Sequence, residues 1–205
     1  MNNFQKRILT SIIILPLSIF FILMGGYFLI FFLFLIFLAG MYEIFTVFKK
    51  KRSAIFLSLI LILSLFSIYY LGNYSLPILF FVIGISISSD IGGYAFGKIF
   101  KWKKLTKISP KKTISGVFGS YFLSFIFLFV YNEFYNFQFT IQAILMTIIF
   151  SSVAQGGDLT ISYLKRLDKI KDTGKILPGH GGIFDRIDAL MFVAILAFVL
   201  EFIKV

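Results

Sequence analysis

Five of the nine acidic residues in this chain lie in or beside apolar runs: Glu43, Asp90, Asp158, Asp185 and Asp188. A carboxylate in such a setting costs on the order of 2.5–3.5 kcal/mol on membrane-insertion scales unless it is paired or hydrated. All five fall toward the same side of the runs that carry them. Ends of distant helices could therefore assemble one acidic cluster at an interface. Each could instead snorkel or pair with a nearby lysine, and for Glu43 and Asp90 that account is about as strong.

The strongest constellation surrounds Asp158. An apolar stripe at helical spacing (Leu159, Tyr163, Leu164, Leu167) predicts that the preceding apolar run continues as a helix. In that helix Asp158, Ser162 and Lys165 share a face, and Gly156-Gly157 allows another backbone or a ligand to come close. Leu177-Pro178-Gly179-His180-Gly181-Gly182 follows as a non-helical loop whose backbone N–H groups could meet an anion. It leads into Asp185 and Asp188, i and i+3 on one helical face. A helix N-terminus favours negative charge by itself, and that explanation stands beside a second one. Carboxylates are hard ligands for Mg²⁺, and here Lys165, Arg166, Lys169, Lys171, Lys175 and Arg186 surround them. Carboxylates for a metal inside a cationic rim suit a nucleoside triphosphate. The sole histidine, His180, could donate to phosphate or anchor the loop; a histidine-rich metal site is excluded by count.

A second basic segment reads Lys107-Ile108-Ser109-Pro110-Lys111-Lys112-Thr113-Ile114-Ser115-Gly116. It predicts a turn at a helix start, with hydroxyls and ammonium groups able to hold phosphate or anionic lipid headgroups. Gly92-Gly93-Tyr94-Ala95-Phe96-Gly97-Lys98 imitates a P-loop, but Ile99 stands where Ser or Thr would meet magnesium. Its small residues fit close helix contacts instead.

The elements that must hold these groups are membrane spans. Of 205 residues, 59% are hydrophobic and 14% charged, and the mean hydropathy is +0.96. A water-soluble domain of this size cannot hide that much apolar side chain. No cysteine is present, which excludes disulfides, iron–sulfur clusters and thiolate zinc sites. The expected fold is an all-α polytopic integral membrane protein with about seven transmembrane helices: 8–24, 27–48, 54–71, 76 to about 89, 117–130, 139 to about 154, and 189–202. Turns are expected at Gly25-Gly26 and at Gly72 to Ser75, and a polar break at Asn132 to Asn136. With the N-terminus inside, 19 of the 20 basic residues fall on the inner side, all but Lys204. The positive-inside rule then gives N-in, C-out and accounts for the +11 net charge without nucleic acid. A single membrane-embedded domain, 1–205, is the simplest reading, with N-terminal spans in 1–89, a catalytic half in 90–205, and cytoplasmic loops at 90–116 and 155–188.

Ser162-Tyr163-Leu164-Lys165-Arg166, Lys171-Asp172-Thr173-Gly174 and Leu177 through Asp188 together resemble the signature of phosphatidate cytidylyltransferases (CDP-diacylglycerol synthases). Gly157-Asp158-Leu159 and Asp90 to Thr113 also resemble that family. The likeness runs from about Asp90 to Leu190, with Ser115-Gly116 where the family commonly has an acidic residue before glycine. The chain is shorter than typical bacterial members.

The resemblance implies that CTP and phosphatidic acid give CDP-diacylglycerol and pyrophosphate. It implies Mg²⁺ as cofactor, with a second metal ion as an option, and membrane lipids and a homodimer as partners, in a bacterial inner membrane with the site facing the cytoplasm. Asp158 and Asp185 are then expected as metal ligands, with Asp188 as a third. Lys111, Lys112, Lys165, Arg166 and Arg186 would hold phosphates, Ser162 and His180 would orient phosphate or metal-bound water, and Ser109 and Thr113 would assist. Two other readings share parts of this pattern: a CTP-dependent kinase of a lipid alcohol such as polyprenol or phytol, and a non-catalytic transporter or scaffold. Charges gathered at one interface, rather than strung through the bilayer, argue against transport.

Overall fold

The computed structural model describes residues 3–106, 108–135, 140–174, 176–179 and 181–203. His180, Lys107, Lys175 and Lys204 lie outside the described residues, as do the side chains of Lys6 and Arg7. The described chain forms seven helices: α1 (Asn3–Met24), α2 (Gly26–Val47), α3 (Lys51–Tyr74), α4 (Leu76–Phe100), α5 (Ile114–Tyr135), α6 (Ile141–Leu167) and α7 (Phe184–Ile203). Five of them, α2 to α6, are long and apolar enough to cross a membrane, and α1 adds a shorter apolar stretch at Ile8–Met24. The all-helical membrane fold expected from composition is the fold observed.

Three boundaries differ from the sequence reading, and at two of them, the ends of α3 and α4, the structure supplies partners for the polar residues. The chain reverses at Gly25, in the left-handed region at φ 61°, as expected. The Gly72 to Ser75 segment, however, stays helical to Tyr74, and only Ser75 breaks it. Asn73 is absorbed because its Nδ2 donates to the Tyr69 carbonyl and its Oδ1 accepts from the Gly26 N–H across the bundle. Helix α5 continues through Asn132 to Tyr135. Helix α4 does not fade at Ser89 but runs on to Phe100. Its serines are satisfied locally or by neighbours: Ser86 Oγ donates back to the Val82 carbonyl, while Ser120 Oγ of α5 donates to the Ser89 carbonyl at 2.7 Å. Ser151 Oγ of α6 reaches Ser89 Oγ at 3.2 Å. Among the described residues, the irregular segments near these helices are 101–113 and, past the helical extension expected at Leu159 to Leu167, 168–183.

Small residues set the closest helix contact. Gly92 of α4 lies so near Gly119 of α5 that a Cβ at either would collide with the other's carbonyl oxygen. Backbones approach this closely in membrane bundles because lipid offers helices no hydrophobic drive to associate, so van der Waals contact must supply it. The P-loop look-alike is thus a helix-packing surface. Helix α7 packs on α3, α4 and α6, with Met191, Val193, Ala194 and Ala197 buried.

Candidate active site

A cavity of about 320 Å³ lies between α4, α5, α6 and the 101–113 segment. Its walls include Ser109, Lys111, Lys112, Thr113 and Asp158, all expected as site residues, together with Asp90, Tyr94 and Gln155. The segment before α5 is held in shape by its own backbone. The Leu105 N–H donates to the Lys112 carbonyl at 2.8 Å and the Ile114 N–H to the Lys103 carbonyl at 3.0 Å, and Ser109 to Lys112 closes a turn. Thr113 Oγ1 then caps α5 by accepting from the Gly116 N–H. This fold-back places Lys112 Nζ 2.5 Å from Asp158 Oδ2, with both side chains about a quarter exposed. Ser162 Oγ, one turn along α6, donates to Asp158 Oδ1 at 3.3 Å. The shared face of Asp158 and Ser162 expected from spacing is thus used.

Lys165 sits on the same helix but pairs elsewhere, with Asp185 Oδ1 at 2.8 Å. Asp185 Oδ2 also accepts from the Thr173 N–H at 2.9 Å and the Gly182 N–H at 3.2 Å. Asp185 precedes the apolar stretch of α7. Burial alone would push its carboxyl up, but the Lys165 ammonium and the two N–H groups outweigh it and hold the carboxyl below its usual range. The glycine-bearing loop does bind an anion through its backbone, as its composition suggests, but the anion is the protein's own. Besides Asp185 it is Glu43, whose Oε1 accepts from the Ile183 N–H at 2.8 Å. Glu43 Oε2 accepts from the Phe184 N–H at 3.2 Å and from Thr173 Oγ1 at 3.1 Å. Glu43 therefore neither snorkels nor pairs with a lysine; it caps the start of α7 from α2.

Asp188 is buried at 9% exposure and lies within electrostatic reach of Asp158 and Asp90. Gly157 makes that approach of α6 and α7 feasible, since a Cβ there would stand 3.2 Å from the Asp188 carbonyl oxygen and 2.5 Å from the Phe192 ring. Among the described residues, no three acids or histidines stand close enough to form a ready-made metal cage. Arg166 is exposed, and its Nη1 donates to the Ile170 carbonyl. Arg186 is also exposed, at the start of α7. His180 lies outside the described residues.

Comparison with known proteins bears on the same region. Residues 71–203 match the model of the cytidylyltransferase family, and this span contains the cavity, both ion pairs and the 168–183 loop. The chain belongs to the cytidylyltransferase family. Its curated relatives include the phosphatidate cytidylyltransferase of Staphylococcus aureus strain COL, 46% identical over 107 residues. Those of Staphylococcus epidermidis strain ATCC 12228, at 44%, and Staphylococcus haemolyticus strain JCSC1435, at 46%, match over the same length. Each match takes in 51% of this chain and 41% of the relative.

Within the family's matched region the geometry offers two linked sets of groups. One is a cavity whose charged lining is two lysines and two aspartates. The other is a locked loop that presents Asp185 and the α7 N-terminus beside it. Residue types had singled out most of the first set. Gln155 of the cavity was not singled out in the sequence; Asp90 stood there as one of the five acids beside apolar runs without a role of its own, and Thr173 stood only within the Lys171 to Gly174 signature segment. For Glu43 a signal was present: it is the only charged residue in the apolar run of α2, and such a residue must find a partner.

Proposed function

We propose that this chain transfers the cytidylyl group of CTP to phosphatidic acid, forming CDP-diacylglycerol and releasing pyrophosphate. The observation that carries the proposal is the Lys112–Asp158 pair. It brings the basic segment before α5 and the acidic turn of α6 into one cavity, inside the region that matches the family. That the relatives are phosphatidate cytidylyltransferases supports phosphatidic acid as acceptor.

The chemistry follows from the charges. A phosphate oxygen of the lipid attacks the α-phosphorus of CTP. The new P–O bond forms as the bond from the α-phosphorus to the β-phosphate oxygen breaks, and pyrophosphate leaves with the electron pair. Both reactants are anions, so the chain's main task is to neutralise and align them. Lys111 and Lys112 stand in the cavity wall for one set of phosphates, and Lys165, Arg166 and Arg186 belong to the α6–α7 side. Ser109, Thr113 and Ser162 supply hydroxyls, and His180 is assigned to phosphate or metal-bound water. No protein nucleophile is required.

The donor set fits Mg²⁺, which takes hard oxygens from one or two carboxylates and completes its shell with water and phosphate. Asp158 and Asp188 would hold it. Asp185 could add a ligand, although three of its roughly four acceptor positions are already engaged. When bound, Mg²⁺ supplies positive charge at the reacting phosphates and at the departing pyrophosphate.

The same reading takes the chain as one membrane-embedded unit and puts the N-terminus and the basic segments on the cytoplasmic side of a bacterial inner membrane. A homodimer is the assembly that goes with the family resemblance.

The decisive experiment incubates purified protein with CTP, Mg²⁺ and phosphatidic acid and identifies both products. CDP-diacylglycerol with pyrophosphate is expected. CDP with a phosphorylated lipid alcohol, when such an alcohol is offered, would replace this reading by the kinase. No nucleotide-linked lipid and no CTP binding would leave a non-catalytic role.

A further inference from the structure

Glu43 lies outside the 71–203 region that matches the family, yet it is the most buried acid in the described chain, at 1% exposure. It stands near the end of α2, and its three hydrogen-bond partners lie 130 to 141 residues away. All three belong to the 173–184 loop or the start of α7. The N–H groups of Ile183 and Phe184 are among the donors that an α-helix leaves without an internal acceptor. Thr173 ties the arrangement together: its Oγ1 donates to Glu43 while its N–H donates to Asp185. The glycines of the loop fit the same carboxylate. A Cβ at Gly182 would stand 2.7 Å from both Glu43 oxygens, and one at Gly174 2.8 Å from Oε1. The loop is thus wrapped around Glu43 as a backbone wraps around a bound anion.

Neighbouring contacts reinforce the fastening. Asp168 Oδ1, just past the end of α6, accepts from the N–H groups of Lys49 and Lys50. Thr10 Oγ1 of α1 donates to the Pro178 carbonyl. The loop that leads into Asp185 is therefore held by α1, α2 and the α2–α3 connection, all outside the matched region.

We infer that Glu43 is a positioning residue: from α2 it holds Thr173 and the first turn of α7 so that Asp185, and through it Lys165, face the reacting phosphates. This rests on the proposed cytidylyl transfer, which it extends to a residue that touches neither substrate.

The test is Glu43→Gln in the full chain, read in two ways. The amide keeps the shape but turns one acceptor into a donor that opposes an N–H or O–H donor. Hydrogen exchange of the peptide spanning 173–184 is expected to quicken while peptides of α4 and α5 stay unchanged. The kcat for CDP-diacylglycerol formation, per folded molecule, is expected to fall about 100-fold, with the KM for phosphatidic acid within about twofold of wild type. In an Asp185→Asn background the added Glu43→Gln should have almost no further effect, because both act through one loop. Thr173→Val, which removes a single hydrogen bond, should shift exchange and kcat the same way but less, and it serves if Glu43→Gln does not fold. Leu79→Ala, which removes a fully buried side chain of α4, is the comparison for simple destabilisation.

Unchanged exchange in 173–184 overturns the inference. So does a kcat loss no larger than that of Leu79→Ala, or losses that multiply in the double variant. If the wild-type protein makes no CDP-diacylglycerol, the transfer reading fails, and loop exchange alone then decides whether Glu43 clamps the loop.

Discussion

The two ion pairs of the site look alike in sequence terms but differ in burial, and they should respond differently to mutation. Lys112 and Asp158 are about a quarter exposed, so losing one partner leaves a charge that water can reach. Asp158→Asn should cut turnover by about 100-fold or more, the scale of removing one preorganised electrostatic group, while shifting thermal unfolding in detergent only slightly. Near-normal Mg²⁺-dependent turnover would remove Asp158 from the metal assignment. Lys165 and Asp185 are 11% and 12% exposed. Lys165→Met strands a carboxylate that still binds two N–H groups, and should cost about 3 kcal/mol. The measurable consequence is a larger fall in melting temperature for Lys165→Met than for Lys112→Met.

Among the helices, adjacent glycines of one motif carry opposite predictions. Gly156 faces open space, whereas a Cβ on Gly157 would press on the Phe192 ring and approach the Asp188 backbone. Gly156→Ala should be neutral, or stabilising by about 0.5–1 kcal/mol, through the helix preference of alanine. Gly157→Ala should destabilise by about 1–3 kcal/mol through overpacking. It should also lower activity, because it pushes α7, and with it Asp188, away from Asp158. Thermal unfolding and product formation by the two variants check this directly. Gly92→Ala is expected to be at least as damaging as Gly157→Ala, since its Cβ meets the backbone of α5 rather than a side chain that can swing away.

For the whole molecule, the prediction concerns orientation. The chain has no cysteine, so single introduced cysteines report on topology without background. Lys101 lies in an exposed basic segment and Asn73 in the exposed last turn of α3. Under the positive-inside rule, an impermeant thiol reagent added to intact cells should label Asn73→Cys and spare Lys101→Cys. The reverse pattern would invert the proposed topology. Composition and charge distribution made the membrane class legible, because burying or exposing apolar surface is a bulk property that hydropathy sums measure well. The length of α4 was not legible. Its four serines (Ser75, Ser86, Ser88, Ser89) read as a fading span, and the hydrogen bonds to Val82, Ser120 and Ser151 that make two of them tolerable come mostly from other helices.

By itself the sequence determined the helical membrane class, the extension of α6 past Asp158, the irregular loop before α7, and the lysines and aspartates of the cavity. These depend on local periodicity, composition and short spacings, which linear order preserves. Only the tertiary structure decided partnership. Spacing placed Asp158, Ser162 and Lys165 on one helical face, but Asp158 pairs with Lys112 across the cavity and Lys165 with Asp185 across the loop. Polarity left Glu43 between a shared acidic cluster, snorkelling and a lysine partner, and the fold gave it three donors more than a hundred residues away. A buried carboxylate must be satisfied by whatever the fold brings within about 3 Å. Which donors those are depends on how α2, α6 and α7 pack, and linear spacing does not encode that arrangement.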